Sequence, residues 1–122
     1  MIVKCISLLD ASGQTVDSSP WLKLKKEYVV LGIEENSLRE KCYLVETRSG
    51  KLETLGFFSS LAFKIVDKSW PETWVKESIN GEISIAPRSW QRTGFWEDFY
   101  DGESQAVDTY RKERDKILVK AV

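Results

Sequence analysis

The sequence predicts an α+β fold: a curved antiparallel sheet, SH3-like or a partly open barrel, followed by a C-terminal α-helix. Short apolar segments alternate with turn residues over most of the chain, which is typical of antiparallel sheets. The dipeptide Asn80-Gly81 separates two alternating segments, and Asn-Gly favours a two-residue hairpin turn. Beyond Pro87 the apolar spacing changes from two residues towards the helical period of about 3.6.

The predicted strands are short and rich in β-branched and aromatic residues. They cover residues 2–9, 27–33, 41–47, 52–58 and 62–66, followed by a hairpin of residues 74–79 and 82–85. A two-residue turn in this hairpin places Trp74 and Ser78 on one face with Ile83 and Ile85. We therefore expect that face to be buried.

Two helices are predicted after Pro87. One side of a short helix is indicated by the spacing of Phe95, Trp96, Phe99 and Tyr100. Asp101 can cap a longer helix that begins near Glu103. The apolar stripe of the longer helix, interrupted by Arg114, consists of Val107, Tyr110, Ile117, Leu118 and Ala121. We expect this stripe to pack against the sheet.

Length and composition predict one globular domain over residues 1–122. No segment approaches the roughly 18 consecutive apolar residues of a membrane span, and the start at Met1 lacks the pattern of a secretory signal. We therefore expect a cytoplasmic protein with no membrane partner. Cys5 and Cys42 both fall in predicted strands, where a free thiol usually behaves as a small buried apolar group. We expect two inert, buried thiols.

The balance of charge bears on the class of partner. The chain has 18 Lys and Arg against 19 Asp and Glu, a net charge of -1. This balance argues against a nucleic-acid-binding surface over the whole protein, because such surfaces are strongly basic. A basic partner is favoured over an acidic one, and no direct nucleic-acid binding is expected.

The residues that most catalytic sites need are missing from the sequence. There is no histidine, so a conventional hydrolase triad cannot form, and no CxxC pair or glycine-rich phosphate loop occurs. We expect no enzyme activity, no catalytic residues, no cofactor and no metal site. Chemistry based on carboxylates alone stays open as an alternative.

Acidic residues are concentrated in the segment 95–108, which contains no Lys or Arg. Its carboxylates belong to Glu97, Asp98, Asp101, Glu103 and Asp108. Two interpretations apply: a solvated turn whose acids complement the positive N-terminus of the last helix, or an acidic and aromatic docking surface for a basic protein.

Tryptophan is abundant, with five residues in 122. Most should be core residues, since an indole is large and apolar and needs only one hydrogen-bond partner. Trp96, beside the acidic residues, and Trp21, in a loop after Pro20, are candidate interface anchors. The predicted partner-binding residues are therefore Trp96, Glu97, Asp98, Asp101, Glu103 and Trp21.

Four segments together resemble a family of bacterial proteins. They are Val3-Lys4-Cys5-Ile6 with Leu9-Asp10, Ser19-Pro20-Trp21-Leu22, Tyr28-Val29-Val30-Leu31, and Gly94-Phe95-Trp96-Glu97-Asp98-Phe99-Tyr100-Asp101. The chain is similar to an immunity protein of the contact-dependent growth inhibition or polymorphic-toxin type. This resemblance covers most of the chain but includes no catalytic signature.

The resemblance implies a function that needs no chemistry. A neighbouring cell delivers a toxin domain, often a nuclease, and the resident immunity protein binds and blocks it. The expected partner is thus a cognate toxin domain. The alternative function is an SH3-like adaptor or regulatory module that binds a peptide or nucleic acid, and a hydrolase without a recognised motif comes third.

Overall fold

The computed structural model describes residues 1–121, without the side chain of Ala121. Its strands are β1 (Ile2–Cys5), β2 (Glu27–Val29), β3 (Gly32–Glu35), β4 (Lys41–Glu46), β5 (Leu55–Ser59), β6 (Phe63–Asp67), β7 (Trp74–Ile79) and β8 (Glu82–Pro87). Its α-helices are α1 (Phe95–Tyr100) and α2 (Ser104–Ala121). Short 3₁₀ turns cover Leu52–Thr54, Ser60–Ala62 and Arg88–Gln91.

The strands form two antiparallel sheets. The smaller sheet has the order β2-β1-β6, and the larger has the order β5-β4-β3-β8-β7. The predicted α+β class, with curved antiparallel sheet and a C-terminal helix, is confirmed. The sheets do not close into a barrel over residues 1–121.

The chain passes from one sheet to the other between β2 and β3. The sequence predicted one strand over residues 27–33, but this segment bends at Val30 and Leu31 and supplies two strands. The Val30 amide donates to the Met1 carbonyl at 3.0 Å, whereas the Leu31 amide donates to the Leu44 carbonyl at 2.8 Å. Consecutive residues thus bond to different sheets, and both side chains are buried where the sheets meet.

The predicted hairpin is formed by β7 and β8. Asn80 and Gly81 both adopt positive φ, 52° and 81°, as a type I′ turn requires. Trp74 and Ile85 are buried on the expected face. Ser78 lies on the same face but is exposed, so the burial prediction is wrong there. This face of the hairpin is therefore buried away from the turn and exposed close to it.

The space between the sheets holds the first part of the core. The ring of Phe63 in β6 lies 6.2 Å from Tyr28 in β2 and 5.9 Å from Tyr43 in β4. Val3 and Cys5 of β1 are fully buried beside them. Aromatic contacts therefore join the small sheet to the inner face of the large one.

The opposite face of the large sheet is partly covered by the C-terminal segment. In the turn before α1, the Gln91 side chain donates to the backbone carbonyls of Val75 (2.6 Å) and Ala86 (2.8 Å), which holds this turn against β7 and β8. In α2, Tyr110 and Ile117 are fully buried, as the predicted stripe requires. Ala121 lies outside the residues whose side chains are described.

A buried polar network fastens α2 to β4. The Glu46 carboxylate, whose side chain is 4% exposed, accepts a short hydrogen bond from the Tyr110 hydroxyl and pairs with Arg114 at 3.2 Å. Arg114 also contacts Asp115 at 3.0 Å. The cation that interrupts the apolar stripe of α2 is therefore the partner of a buried acid on the sheet.

Candidate functional site

The predicted acidic segment forms α1 and the turn that leads into α2. Glu97 and Asp101 are exposed, and within residues 1–121 neither carboxylate has an ion pair or hydrogen bond. Asp98 pairs with Arg92 at 3.0 Å across the start of α1. Two carboxylates of this segment are thus available to a partner, while a third is already compensated.

Glu103 has a structural role at the start of α2. Its carboxylate accepts the backbone amides of Gln105 (3.0 Å) and Ala106 (2.8 Å), which are otherwise unsatisfied in the first turn of a helix. The sequence assigned this cap to Asp101, and that assignment is wrong: Asp101 is the C-cap of α1. For Glu103, the interpretation as a complement to the helix N-terminus is the correct one.

Trp96 lies in an aromatic cluster built by α1, α2 and the turn before α1. Its ring lies 5.0 Å from Phe95, 5.5 Å from Phe99 and 5.7 Å from Trp90. The Trp96 side chain is only partly buried, whereas those of Phe95, Phe99 and Trp90 are buried. It therefore joins the core on one side and leaves the rest of its surface exposed.

Trp21 occupies a different part of the molecule. It is 50% exposed in the loop before β2, and its backbone amide donates to the Ser19 hydroxyl at 3.1 Å. This loop leads into the small sheet, whereas Trp96 belongs to the segment on the outer face of the large sheet. The two candidate anchors are not part of one cluster.

An open groove of about 800 Å³ lies along the uncovered part of that outer face. Its floor is a row of paired residues that crosses all five strands: Ser59, Cys42, Glu34, Ser84 and Glu77. Trp90, Gln91, Arg92 and Trp96 border it on the side of the C-terminal segment. The groove size falls in the range of about 300–1,000 Å³ that is typical of ligand sites.

The groove is strongly acidic. Five carboxylates line it, from Glu34, Glu35, Glu40, Glu77 and Glu82, against two cations, Lys41 and Arg92. Of the two cations, Arg92 is already paired with Asp98. Of the five acids, Glu35 is paired with Arg39. The three strand carboxylates Glu34, Glu77 and Glu82 have no ion pair within the described residues, which leaves the floor negative.

The pKa values of two residues on the groove floor are raised. Partial removal from water, and then the nearby Glu82 carboxylate, raise the pKa of Glu34. Partial burial, then Glu34 and Glu40, raise the pKa of the Cys42 thiol. Cys5 is fully buried, as predicted, but Cys42 is only partly buried and lines the groove, so that half of the thiol prediction is wrong.

The wall of the groove contains polar atoms without protein partners. Trp90, 1% exposed, has no acceptor for its Nε1 hydrogen, and the Gln91 Oε1 has no donor within the described residues. Both residues line the groove. Both atoms are buried, so they lie behind the surface of the groove and offer no direct contact to a ligand.

Sequence reasoning found the acids of α1 but missed those of the groove. Glu77 and Glu82 belong to the two strands of the predicted hairpin, but Glu34 is more than 40 residues before them in the chain and joins them only when β3 pairs with β8. The burial of residues along β3, β4 and β8 does not alternate, so the strand pattern gives no clear signal for this surface. Strand order was needed to bring them onto one surface.

Within residues 1–121 no three Cys, Asp or Glu side chains converge closely enough to hold a metal. In the same range no helix combines the length and apolarity needed to cross a membrane.

Comparisons with known proteins identify no relative. No family model, no curated protein and no solved structure matches the chain.

Proposed function

We propose that this protein binds a basic protein partner and that, following the resemblance noted in the sequence, this partner is a cognate toxin domain that it neutralises in the cytoplasm. A nuclease is the expected toxin activity. The observation that carries the proposal is the acidic groove, which Trp96 borders. Glu97 and Asp101, which follow Trp96 in the chain, are exposed and have no ion pair within the described residues. The protein acts by occupying its partner and has no catalytic role of its own.

Charge supports this choice of partner. Enzymes that act on nucleic acids present basic surfaces to phosphates, so an acidic surface can compete for the same region. Complementary charge accelerates encounter and suppresses wrong orientations. The exposed acids Glu97 and Asp101 add negative charge to the segment that contains Trp96.

Trp96 adds an apolar contact at the border of the groove. Aromatic anchors surrounded by polar residues frequently dominate the energy of an interface. Trp96 is held in place by Phe95, Phe99 and Trp90, so little side-chain entropy is lost when a partner covers it.

The proposal requires a large gene directly before this one whose end encodes the toxin domain, and the test is co-expression with that domain. We expect the two chains to co-purify and the cells to survive expression of the toxin. Trp96→Ala should speed dissociation by about 30-fold, with little dependence on salt, as an anchor worth about 2 kcal/mol does. Trp70→Ala is the matched control, because it removes an exposed indole from a residue that does not line the groove.

Failure to co-purify, with no protection of the cells, would overturn the proposal. Specific binding of a short peptide or a nucleic acid, with no effect of the toxin domain, would favour the adaptor function instead.

A further inference from the structure

We propose that the groove receives an extended segment of the partner whose arginine or lysine side chain is bound between the carboxylates of Glu34, Glu77 and Glu82. This inference deepens the proposed function and rests on it for the identity of the partner. The three acids are called the carboxylate triangle below.

Sheet pairing places the triangle around one small residue. Ser84 is paired with Glu34 on β3 and with Glu77 on β7, and Glu82 lies two residues before it on the same face of β8. Glu34 and Glu77 therefore lie on either side of β8, about 10 Å apart, and Glu82 is a diagonal neighbour of each, at about 7–8 Å. The short side chain of Ser84 leaves open the space between these carboxylates.

The charge of the triangle is not compensated from within. Among the described residues, none of its members forms an ion pair, although Glu35 pairs with Arg39 and Arg92 with Asp98 nearby. Like charges at this spacing repel each other, and a cation placed among them relieves that repulsion. A guanidinium has five hydrogen-bond donors in a planar fork, which suits several carboxylates at once better than a metal ion does.

The groove walls suit the remainder of such a segment. The side chains of Gln91 and Arg92 border the groove on the side of the C-terminal segment, and polar side chains of the floor row such as Ser59 and Ser84 line it as well. The exposed part of Trp96 offers an aromatic face to a second cation. At about 800 Å³ the groove holds several side chains but not a folded domain, so the occupant is a segment.

The experiment uses two labelled nine-residue peptides. In one, arginine alternates with glycine; in the other, citrulline, the neutral analogue of arginine, alternates with glycine. Binding is measured by fluorescence anisotropy at 25 mM and 150 mM NaCl. We expect the arginine peptide to bind and the citrulline peptide to bind at least tenfold more weakly. Each of Glu34→Gln, Glu77→Gln and Glu82→Gln should weaken binding about fivefold at low salt.

The matched control is Glu53→Gln, which removes the same charge from an exposed position in the turn before β5. It should stay within twofold of the wild type. Ser84→Lys places an ammonium inside the triangle and should abolish binding, whereas Ser49→Lys, at an exposed loop position, should weaken it much less. Melting curves of all variants confirm that they are folded.

Amide chemical shifts locate the bound peptide. The largest changes should fall on the floor row, at Cys42, Glu34 and Ser84. Equal losses for Glu34→Gln and Glu53→Gln, equal binding of the citrulline peptide, or shifts confined to α1 would each overturn the proposal. So would the absence of binding at millimolar peptide. Equally tight binding of spermidine would reassign the groove to a small polyamine, and dimerisation that Glu34→Gln abolishes would reassign it to a second copy.

The two proposals fail separately. Wild-type affinity for the toxin domain in the variant that carries all three Gln substitutions would remove the groove from the interface but leave the immunity function standing. Peptide binding at the triangle without any toxin co-purification would keep the basic segment as the ligand and remove the toxin as its source.

Discussion

The buried network between Glu46, Tyr110 and Arg114 makes the most demanding prediction about stability. Arg114→Met keeps most of the side-chain volume on α2 but removes the cation beside a carboxylate that is only 4% exposed. The acid then retains two hydrogen bonds, from the Tyr110 hydroxyl and from the Gly50 amide at 3.0 Å, but it loses its counter-charge. Breaking one partner of a buried ion pair usually costs about 3–5 kcal/mol.

The expected loss is somewhat smaller than that range. Arg114 is 11% exposed, so water can partly replace it, and the Tyr110 hydroxyl continues to satisfy the carboxylate. We expect the free energy of unfolding to fall by about 2–3 kcal/mol, which is a large part of the roughly 5–15 kcal/mol typical of a domain. For a chain of this length the melting midpoint should fall by roughly 10 °C.

Urea unfolding followed by circular dichroism measures this loss. Arg111→Met is the matched control, because Arg111 is an exposed cation on the same helix and its removal should change stability by less than about 0.5 kcal/mol. In the double variant with Glu46→Gln the two losses should not add, since the residues belong to one network. An Arg114→Met protein as stable as the Arg111→Met protein would refute the reasoning.

Three further predictions concern the turn, the alkaline limb and the acids of α1. Gly81→Val should lower stability by roughly 1–3 kcal/mol, because a β-branched residue is strained at positive φ; an unchanged melting midpoint would contradict this. Burial, and then the hydrogen bond to Glu46, raise the pKa of Tyr110 far above its usual value. The free energy of unfolding should therefore be unchanged below about pH 10 and fall above it, because this tyrosine ionises first in the unfolded chain. Tyr110→Phe should flatten that fall in urea midpoints measured from pH 8 to 11. Reversing Glu97 and Asp101 to Lys should slow association with the toxin domain, most strongly at low salt, and leave the melt nearly unchanged; Asp98→Lys should also lower the melt, since it breaks the pair with Arg92. A lowered melt with a wild-type association rate in the Glu97 and Asp101 variant would remove these acids from the interface.

Local features of the structure were predictable because their causes lie within a few residues of sequence. Asn80-Gly81 supplies the positive φ angles of its turn by its own chemistry. Phe95 and Phe99 mark the buried side of α1 by helical spacing alone. The cap of α2 was harder, since Asp101 and Glu103 both suit a helix start and only the backbone path between them decides which carboxylate reaches the amides.

The strand boundaries and the candidate site depended on pairing between distant residues. The apolar run from Tyr28 to Ile33 does not indicate where the strand is interrupted. The bend at Val30 arises because consecutive amides donate to carbonyls of different sheets, one to Met1 and the next to Leu44. In the sequence, Glu46 is likewise an ordinary acidic residue of a strand. Only the packing of α2 brings Arg114 into contact with it.

Local sequence signals were therefore enough to predict the α+β class, the hairpin, both helices and an excess of acid near α1. Strand pairing and helix packing were needed to show which acids make structural contacts and which stay free. Glu103 is used as a helix cap and Asp98 in an ion pair, whereas Glu34 joins acids from β7 and β8 on an uncovered floor. The physical reason is that helix and turn signals act over a few residues, while the charge of a surface depends on which strands become neighbours.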